Sequence, residues 1–153
     1  MRIRLLDLLV KHEGKRSRAY QDTEGIWTIG VGRNINPENG LGLSDDEIAY
    51  LLGNDIARIE QECSEAFGFY DDLDEVRKDA LLNLCFNLGL PRLKKFKLAL
   101  GHLEAGRYDE SAEEFLDSLW ANQVGQRAVE VAEMVKTGEY SSCLLYTSPS
   151  PRD

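Results

Sequence analysis

Histidine and cysteine are scarce in this 153-residue chain, with two of the first, three of the second and no CxxC spacing. That removes the usual zinc patterns and leaves no disulfide framework, so no metal is expected and a reducing compartment fits. Apolar runs are short, and none approaches the ~20 residues needed to span a bilayer. The opening MRIRLLDLLVKHEGKR starts basic, but Asp7 interrupts its apolar stretch and no small-residue cleavage site follows. Secretion by its own signal is therefore not expected. Basic charge is also limited, with 18 Lys and Arg against 27 Asp and Glu for a net −9. Neither half forms a basic platform, so nucleic acid is not the expected partner, nor is a membrane surface. The one basic cluster, Arg92-Leu93-Lys94-Lys95-Phe96-Lys97, reads as a solvated helix face. No GxSxG occurs, and Gly30-Val31-Gly32 lacks the third glycine and following helix of a dinucleotide site.

What is present is 42% hydrophobic and 29% charged, a globular composition that fits one domain or two small lobes. Ile3, Leu6, Leu9 and Val10 share one face of a short helix ending near Gly14. In SRAYQDTEGIWTIGVG, the alternation of Trp27, Ile29 and Val31 with Ile26, Thr28 and Gly30 is strand periodicity, and Thr23-Glu24-Gly25 supplies a turn. Residues 33–42 read as loop or a marginal extra strand. Ser44 to Glu47 is a capping box. Behind it Ile48, Leu51, Leu52, Ile56, Ile59 and Cys63 keep helical phase for about five turns. A second helix starts near Asp72 to Glu75 and becomes apolar nearly all round from Ala80 to Leu88, so it is a core helix, with Cys85 a buried thiol. Three more helical segments are predicted at about 92–105, 109–120 and 125–137. The last eleven residues, CLLYTSPSPRD, resist any packed element and resemble the in-frame translation of a sequencing-library adaptor. The expected native stretch thus ends after Ser142, and Cys143 is not counted as native.

Several polar residues stand out against this pattern. Glu13 lies at 9+4 and 10+3, on the apolar stripe of its helix and at the helix C-terminus. Burial and the dipole would both push its carboxyl up, toward what a general acid needs. Arg127 shares the stripe of Val124, Ala128, Val131 and Val135, where a guanidinium calls for a carboxylate; Glu13 is one candidate. Asp22 precedes the hairpin turn, where capping its own backbone is the ordinary role. Asn83 and Asn87 are i,i+4 amides on the apolar helix, to be satisfied by backbone or by a wet cleft. Tyr20 and Trp120 read as core, with carbohydrate stacking the alternative.

Taken together, Glu13-Gly14, Tyr20-Gln21-Asp22-Thr23-Glu24-Gly25 and Trp27-Thr28-Ile29-Gly30-Val31-Gly32 resemble the active-site segment of phage lysozymes of glycoside hydrolase family 24, the T-even type. The resemblance continues through LSDDEIAYLLGNDI, DALLNLCFNLG, GRYDES and LWANQVGQRAVEVAEMVKTGEY, essentially residues 1–140. It implies an α+β, lysozyme-like two-lobe fold in a single domain over 1–142. A β-hairpin lobe to about residue 43 would be joined by a connecting helix at about 44–66 to a helical lobe at about 67–142. It implies hydrolysis of the β-1,4 bond between N-acetylmuramic acid and N-acetylglucosamine in bacterial peptidoglycan, with no cofactor. Glu13 matches the general acid, Asp22 the base for the attacking water and Thr28 the residue placing that water. An inverting reaction of this kind asks for carboxyls roughly 6.5–9.5 Å apart. Arg127 matches the arginine paired with the catalytic Glu. Phe86, Asn87, Asn34 and Trp120 are the candidate substrate-binding positions. The implied setting is a monomer made in the host bacterial cytoplasm and released to the wall by a separate holin-type protein.

Departures from the family pattern are equally specific. Arg33 replaces the His that commonly follows TxGxG and belongs to a structural ion pair, so local stability should change before catalysis. Two substrate-contact positions, a Ser and an Asn in the T-even enzyme, correspond to Ala99 and Glu114. The loop from Gly32 to Ser44 is shorter, and the chain is acidic. Three rivals are a lytic transglycosylase, which needs no water-activating base, a silent glycan-binding module, and a helical interaction protein with a merely structural Glu13.

Overall fold

The computed structural model describes residues 3–140; the adaptor-like tail at 143–153 lies outside them. Two compact units divide the chain, the first running to Ala49 and the second starting at Tyr50.

The first unit opens with α1 (Ile3–Glu13), amphipathic as its periodicity predicts, although none of its residues is buried. Three antiparallel strands follow, β1 (Arg16–Gln21), β2 (Trp27–Gly30) and β3 (Arg33–Asn34), in the order β1-β2-β3. Tyr20 pairs with Thr28 and Gln21 with Trp27, while an irregularity between Arg16 and Tyr20 shifts the register. On the other edge Thr28 pairs with Asn34 and Ile29 with Arg33, so the predicted marginal strand is real but only two residues long. Its short length reflects the loop chemistry that follows: Asn34 Oδ1 accepts from the Asn36 N–H and its carbonyl from the Leu41 N–H, which turns the chain away from the sheet. Thr28 is 5% exposed whereas Trp27 is 42% exposed, so the polar strand residue faces inward and the large aromatic outward.

Helix α2 (Asp45–Ala66) starts where the capping box predicts. The Ser44 N–H donates to Glu47 Oε1 at 2.8 Å and the Glu47 N–H to Ser44 Oγ at 3.2 Å, satisfying two otherwise orphaned donors. Of its predicted apolar stripe only Ile59 and Cys63 are buried.

In the second unit α3 (Glu75–Leu88) is capped by Asp74, whose side chain accepts from the Arg77 N–H, and ends at Gly89. It buries Ala80, Leu81, Leu84, Cys85 and Leu88. The remaining helices are α4 (Leu90–Leu93), α5 (Lys97–Glu104), α6 (Tyr108–Leu116), α7 (Leu119–Val124) and α8 (Gln126–Thr137). Each of the two helices predicted over 92–105 and 109–120 is thus broken in two. Around residues 94–96 the chain leaves the helix and Phe96 packs its ring 5.6 Å from that of Phe115, a tertiary contact with no local signature. At 117–118 the break is chemical: Ser118 Oγ donates to the Phe115 carbonyl and accepts from the Ala121 N–H, ending α6 and capping α7. Arg77 ties α3 to the far end of α8, donating to the carbonyls of Val135 at 2.6 Å and Lys136 at 3.0 Å. The buried apolar core, from Ile59 to Val135, lies wholly in this helical unit. Among the described residues no helix is long and apolar enough to cross a membrane.

Candidate active site

Glu13, Asp22 and Thr28 all belong to the first unit. Glu13 is the last residue of α1, because the Gly14 N–H closes the final turn on the Val10 carbonyl and the chain then leaves for β1. Its side chain is exposed, so the burial anticipated from its phase on the apolar stripe is not observed. What defines its position is a close approach to the β2–β3 turn. A Cβ at Gly32 would stand 2.8 Å from Glu13 Oε2 and 3.2 Å from its Cγ. Gly32 also has φ +67°, in the left-handed region. Sequence reasoning missed this glycine as a site residue. Its signal was the second Gly of TxGxG, but only the fold shows which side chain fills the space a Cβ would take.

Asp22 is an Asx turn, as its ordinary role predicts. Its Oδ1 accepts from the N–H groups of Glu24 at 2.8 Å and Ile26 at 2.9 Å. Backbone bonds from the Asp22 N–H to the Ile26 carbonyl at 2.9 Å and from the Gly25 N–H to the Asp22 carbonyl at 3.0 Å close the same turn, and the residue is exposed. Thr28, buried in the middle strand, donates its hydroxyl proton to the Ile26 carbonyl at 2.9 Å. A hydroxyl donating in this way keeps lone pairs to accept from another partner. The side chain of Asn34 braces the loop to Asn36, and its Oδ1 would stand 2.8 Å from a Cβ at Gly40.

Arg33 makes an ion pair. Its Nη1 lies 2.6 Å from Glu47 Oε1 and 3.1 Å from the Gly42 carbonyl. The Ser44 backbone N–H first, and then the Arg33 guanidinium, hold the Glu47 carboxyl below the usual carboxylate range. With the folded value depressed, this stabilisation is fully present above the ordinary carboxylate value and is lost as pH falls through the folded one. Glu47→Gln is therefore expected to lower the melting temperature at neutral pH, with the gap to the parent closing in acid. Thermal melts of both proteins across that range check it.

Arg127, Asn83, Asn87, Phe86 and Trp120 belong to the second unit. Within that unit Arg127 is held by an amide rather than a carboxylate. Its Nε donates to Asn83 Oδ1 at 2.9 Å and its Nη2 to the Asn83 carbonyl at 3.3 Å. Asn87 is satisfied in the same way, accepting from Trp120 Nε1 at 2.6 Å. Both amides on the apolar helix thus find side-chain donors, and with Asn83 lining a cavity and Asn87 exposed they fit the cleft-facing alternative. Trp120 is 4% exposed, so of its two readings core is the observed one, and its ring is not free for sugar stacking. Phe86 is 48% exposed and Asn87 is exposed. A cavity of about 370 Å³ is walled by Leu52, Ile56, Leu82, Asn83, Phe86 and Arg127. Asp79 and Tyr140 close it, with the Tyr140 hydroxyl donating to Asp79 Oδ2, and burial pushes the Asp79 carboxyl up. Among the described residues no group of His, Cys, Asp or Glu could hold a metal ion.

A small antiparallel sheet behind an amphipathic helix, a long capped helix and a helical unit with its own core define an α+β fold of the lysozyme-like class. The chain belongs to the phage lysozyme family, whose model matches residues 10–136. It is 29% identical to the probable T4-type lysozyme 1 of Dictyostelium discoideum, over 86% of this chain and 93% of that protein. It is 31% identical to the endolysin of Salmonella phage P22, over 73% of this chain and 77% of that one. To the endolysin of Acyrthosiphon pisum secondary endosymbiont phage 1 it is 30% identical over 80% of this chain and 82% of that one. The protein is accordingly an enzyme, a glycoside hydrolase of the lysozyme type, with peptidoglycan as its substrate class.

Proposed function

We propose that this enzyme is a muramidase that hydrolyses the β-1,4 bond between N-acetylmuramic acid and N-acetylglucosamine. Glu13 protonates the leaving oxygen, Asp22 acts as base toward the attacking water and Thr28 accepts a hydrogen bond from that water. Arg127 has a supporting role in the catalysis, and Phe86, Asn87 and Asn34 contact the glycan, with Trp120 donating its indole N–H to Asn87. The observation that carries the reading is the division of labour at Asp22. Its Oδ1 takes two backbone N–H groups of the turn, those of Glu24 and Ile26, so a carboxylate is locked in orientation at an exposed position. Glu13, set against Gly32 in the same unit, supplies the second carboxyl that such a reaction needs. The biological role is lysis of a phage-infected host, the chain acting as a monomer on the wall after a holin-type protein releases it from the cytoplasm.

Mass spectrometry of the soluble fragments released from purified peptidoglycan by the full chain tests the chemistry. Reducing N-acetylmuramic acid ends are the expected result. Ends carrying 1,6-anhydro-muramic acid would transfer the enzyme to the lytic transglycosylases. Release of nothing by folded protein would leave a binding module.

A further inference from the structure

Among the described residues the half-buried lysine and arginine side chains are Arg33, Arg77, Lys78 and Arg127. Arg33 lies 2.6 Å from Glu47, Arg77 3.0 Å from Asp74 and Lys78 3.8 Å from Glu75, whereas Arg127 has no carboxylate within 4.0 Å among the described residues. Both of its acceptors belong to Asn83, the side-chain oxygen taking the Nε–H at 2.9 Å and the backbone carbonyl an Nη2–H at 3.3 Å. One edge of the planar fork is thus pinned to one position of α3, and its other three N–H groups donate to no described residue. The charge stands in the first turn of α8, at the positive end of the helix dipole, where neither an acidic side chain nor a side-chain cap answers it. Asp79 shares the cavity wall with Arg127, but it accepts from Tyr140, and burial together with Glu75 and Glu60 pushes its carboxyl up, the opposite of what an ion pair would do.

A half-buried charge without a counter-charge lowers stability, and an aspartate at position 83 would supply one in nearly the same shape. No hydrogen bond would be lost, because the Asn83 amide nitrogen donates to no described residue. In a chain with 27 acidic residues, an amide here departs from what the fold alone favours. Departures of that kind belong to sites where function outweighs stability. We propose that Asn83 is a positioning residue for the hydrolysis, fixing the Arg127 guanidinium through uncharged acceptors so that its full positive charge stays available to the reaction. The proposal rests on the supporting role given to Arg127 above and adds the requirement on its holder: two acceptors in fixed places, neither of them charged.

The test is a double-mutant cycle in the full chain: parent, Asn83→Asp, Arg127→Gln and the two combined, each checked for folding by circular dichroism melts. Initial rates of peptidoglycan cleavage are the readout. Asn83→Asp keeps the acceptor but adds charge to it, and is expected to lose about tenfold or more in rate. Arg127→Gln should lose at least as much. The combined variant should cleave within about twofold of Arg127→Gln, since an anion at position 83 then has no guanidinium to neutralise. Asn83→Ala, which removes the Nε acceptor, should repeat the pattern and serves where the aspartate variant does not fold. A parent-like rate for Asn83→Asp, or for Asn83→Ala in its place, beside an impaired Arg127→Gln would overturn the proposal. So would a loss of the same size with and without Arg127, which is what a merely structural role in α3 produces. A parent-like rate for Arg127→Gln would instead remove Arg127 from the catalysis, and the reading beneath the proposal would fall with it.

Discussion

Glu13→Gln is expected to lower the rate of peptidoglycan cleavage by roughly 10²- to 10⁴-fold, the usual contribution of a positioned general acid, while the protein stays folded. The amide has nearly the shape of the carboxyl it replaces, so the approach to Gly32 is retained and only the transferable proton is lost. The position is exposed and α1 buries none of its residues, so stability should change by no more than about 0.5 kcal/mol. Turbidity clearing of wall suspensions, run beside thermal melts, separates the two quantities. Asp22→Asn makes a matched second arm. An asparagine Oδ1 can still accept from the N–H groups of Glu24 and Ile26, so the turn survives and the charge alone is removed. Activity within a few-fold of the parent for Glu13→Gln would remove it from the acid role.

Local signals were enough wherever an element is determined by its own residues. The periodicity of Ile3 to Val10, the Ser44/Glu47 box and the apolar stretch from Ala80 to Leu88 each appear as the helix they predict. The same reasoning failed at residues 94–96 and 117–118. There the break depends on Phe96 reaching Phe115, and on Ser118 serving two helices at once. Those are partners chosen by the fold, and a 3.6-residue pattern carries no trace of them. The α2 stripe appears as the predicted helix, but its burial is set by the fold. Spacing identifies which residues share a face but not what covers that face, and Ile48, Leu51, Leu52 and Ile56 remain 41–45% exposed.

The candidate site follows the same division. Asp22 was legible because an Asx turn is local, its acceptor and donors lying within four residues. The holder of Arg127 was not, because Asn83 is 44 residues away and an amide was not the partner a guanidinium suggests. Arg33 makes its ion pair with the capping-box carboxylate that already starts α2, a partner 14 residues away that the hairpin motif does not announce. The residues proposed as acid, base and water-placing group lie in the unit with almost no buried core, whereas the packed helical unit holds Arg127 and Asn87 through named amide contacts.

The glycines of the β2–β3 turn allow backbone strain to be separated from catalytic geometry. Gly30 has φ +69° and Gly32 φ +67°, so an alanine at either position is forced into the left-handed region, at a cost of about 1–2 kcal/mol. Only their surroundings differ. A Cβ at Gly30 meets nothing within 4 Å, while one at Gly32 presses on the Glu13 carboxylate. The end of a glutamate side chain can swing aside, so the collision itself adds little to the loss of stability. It does move the reacting group, and a misplacement of about 1 Å can cost on the order of 10²-fold in rate. Gly30→Ala and Gly32→Ala are therefore expected to melt at similar temperatures below the parent, with Gly32→Ala alone losing about 10²-fold in cleavage. Equal activity losses in the two variants would mean that strain in the turn, rather than the seat it gives Glu13, is what the enzyme cannot tolerate.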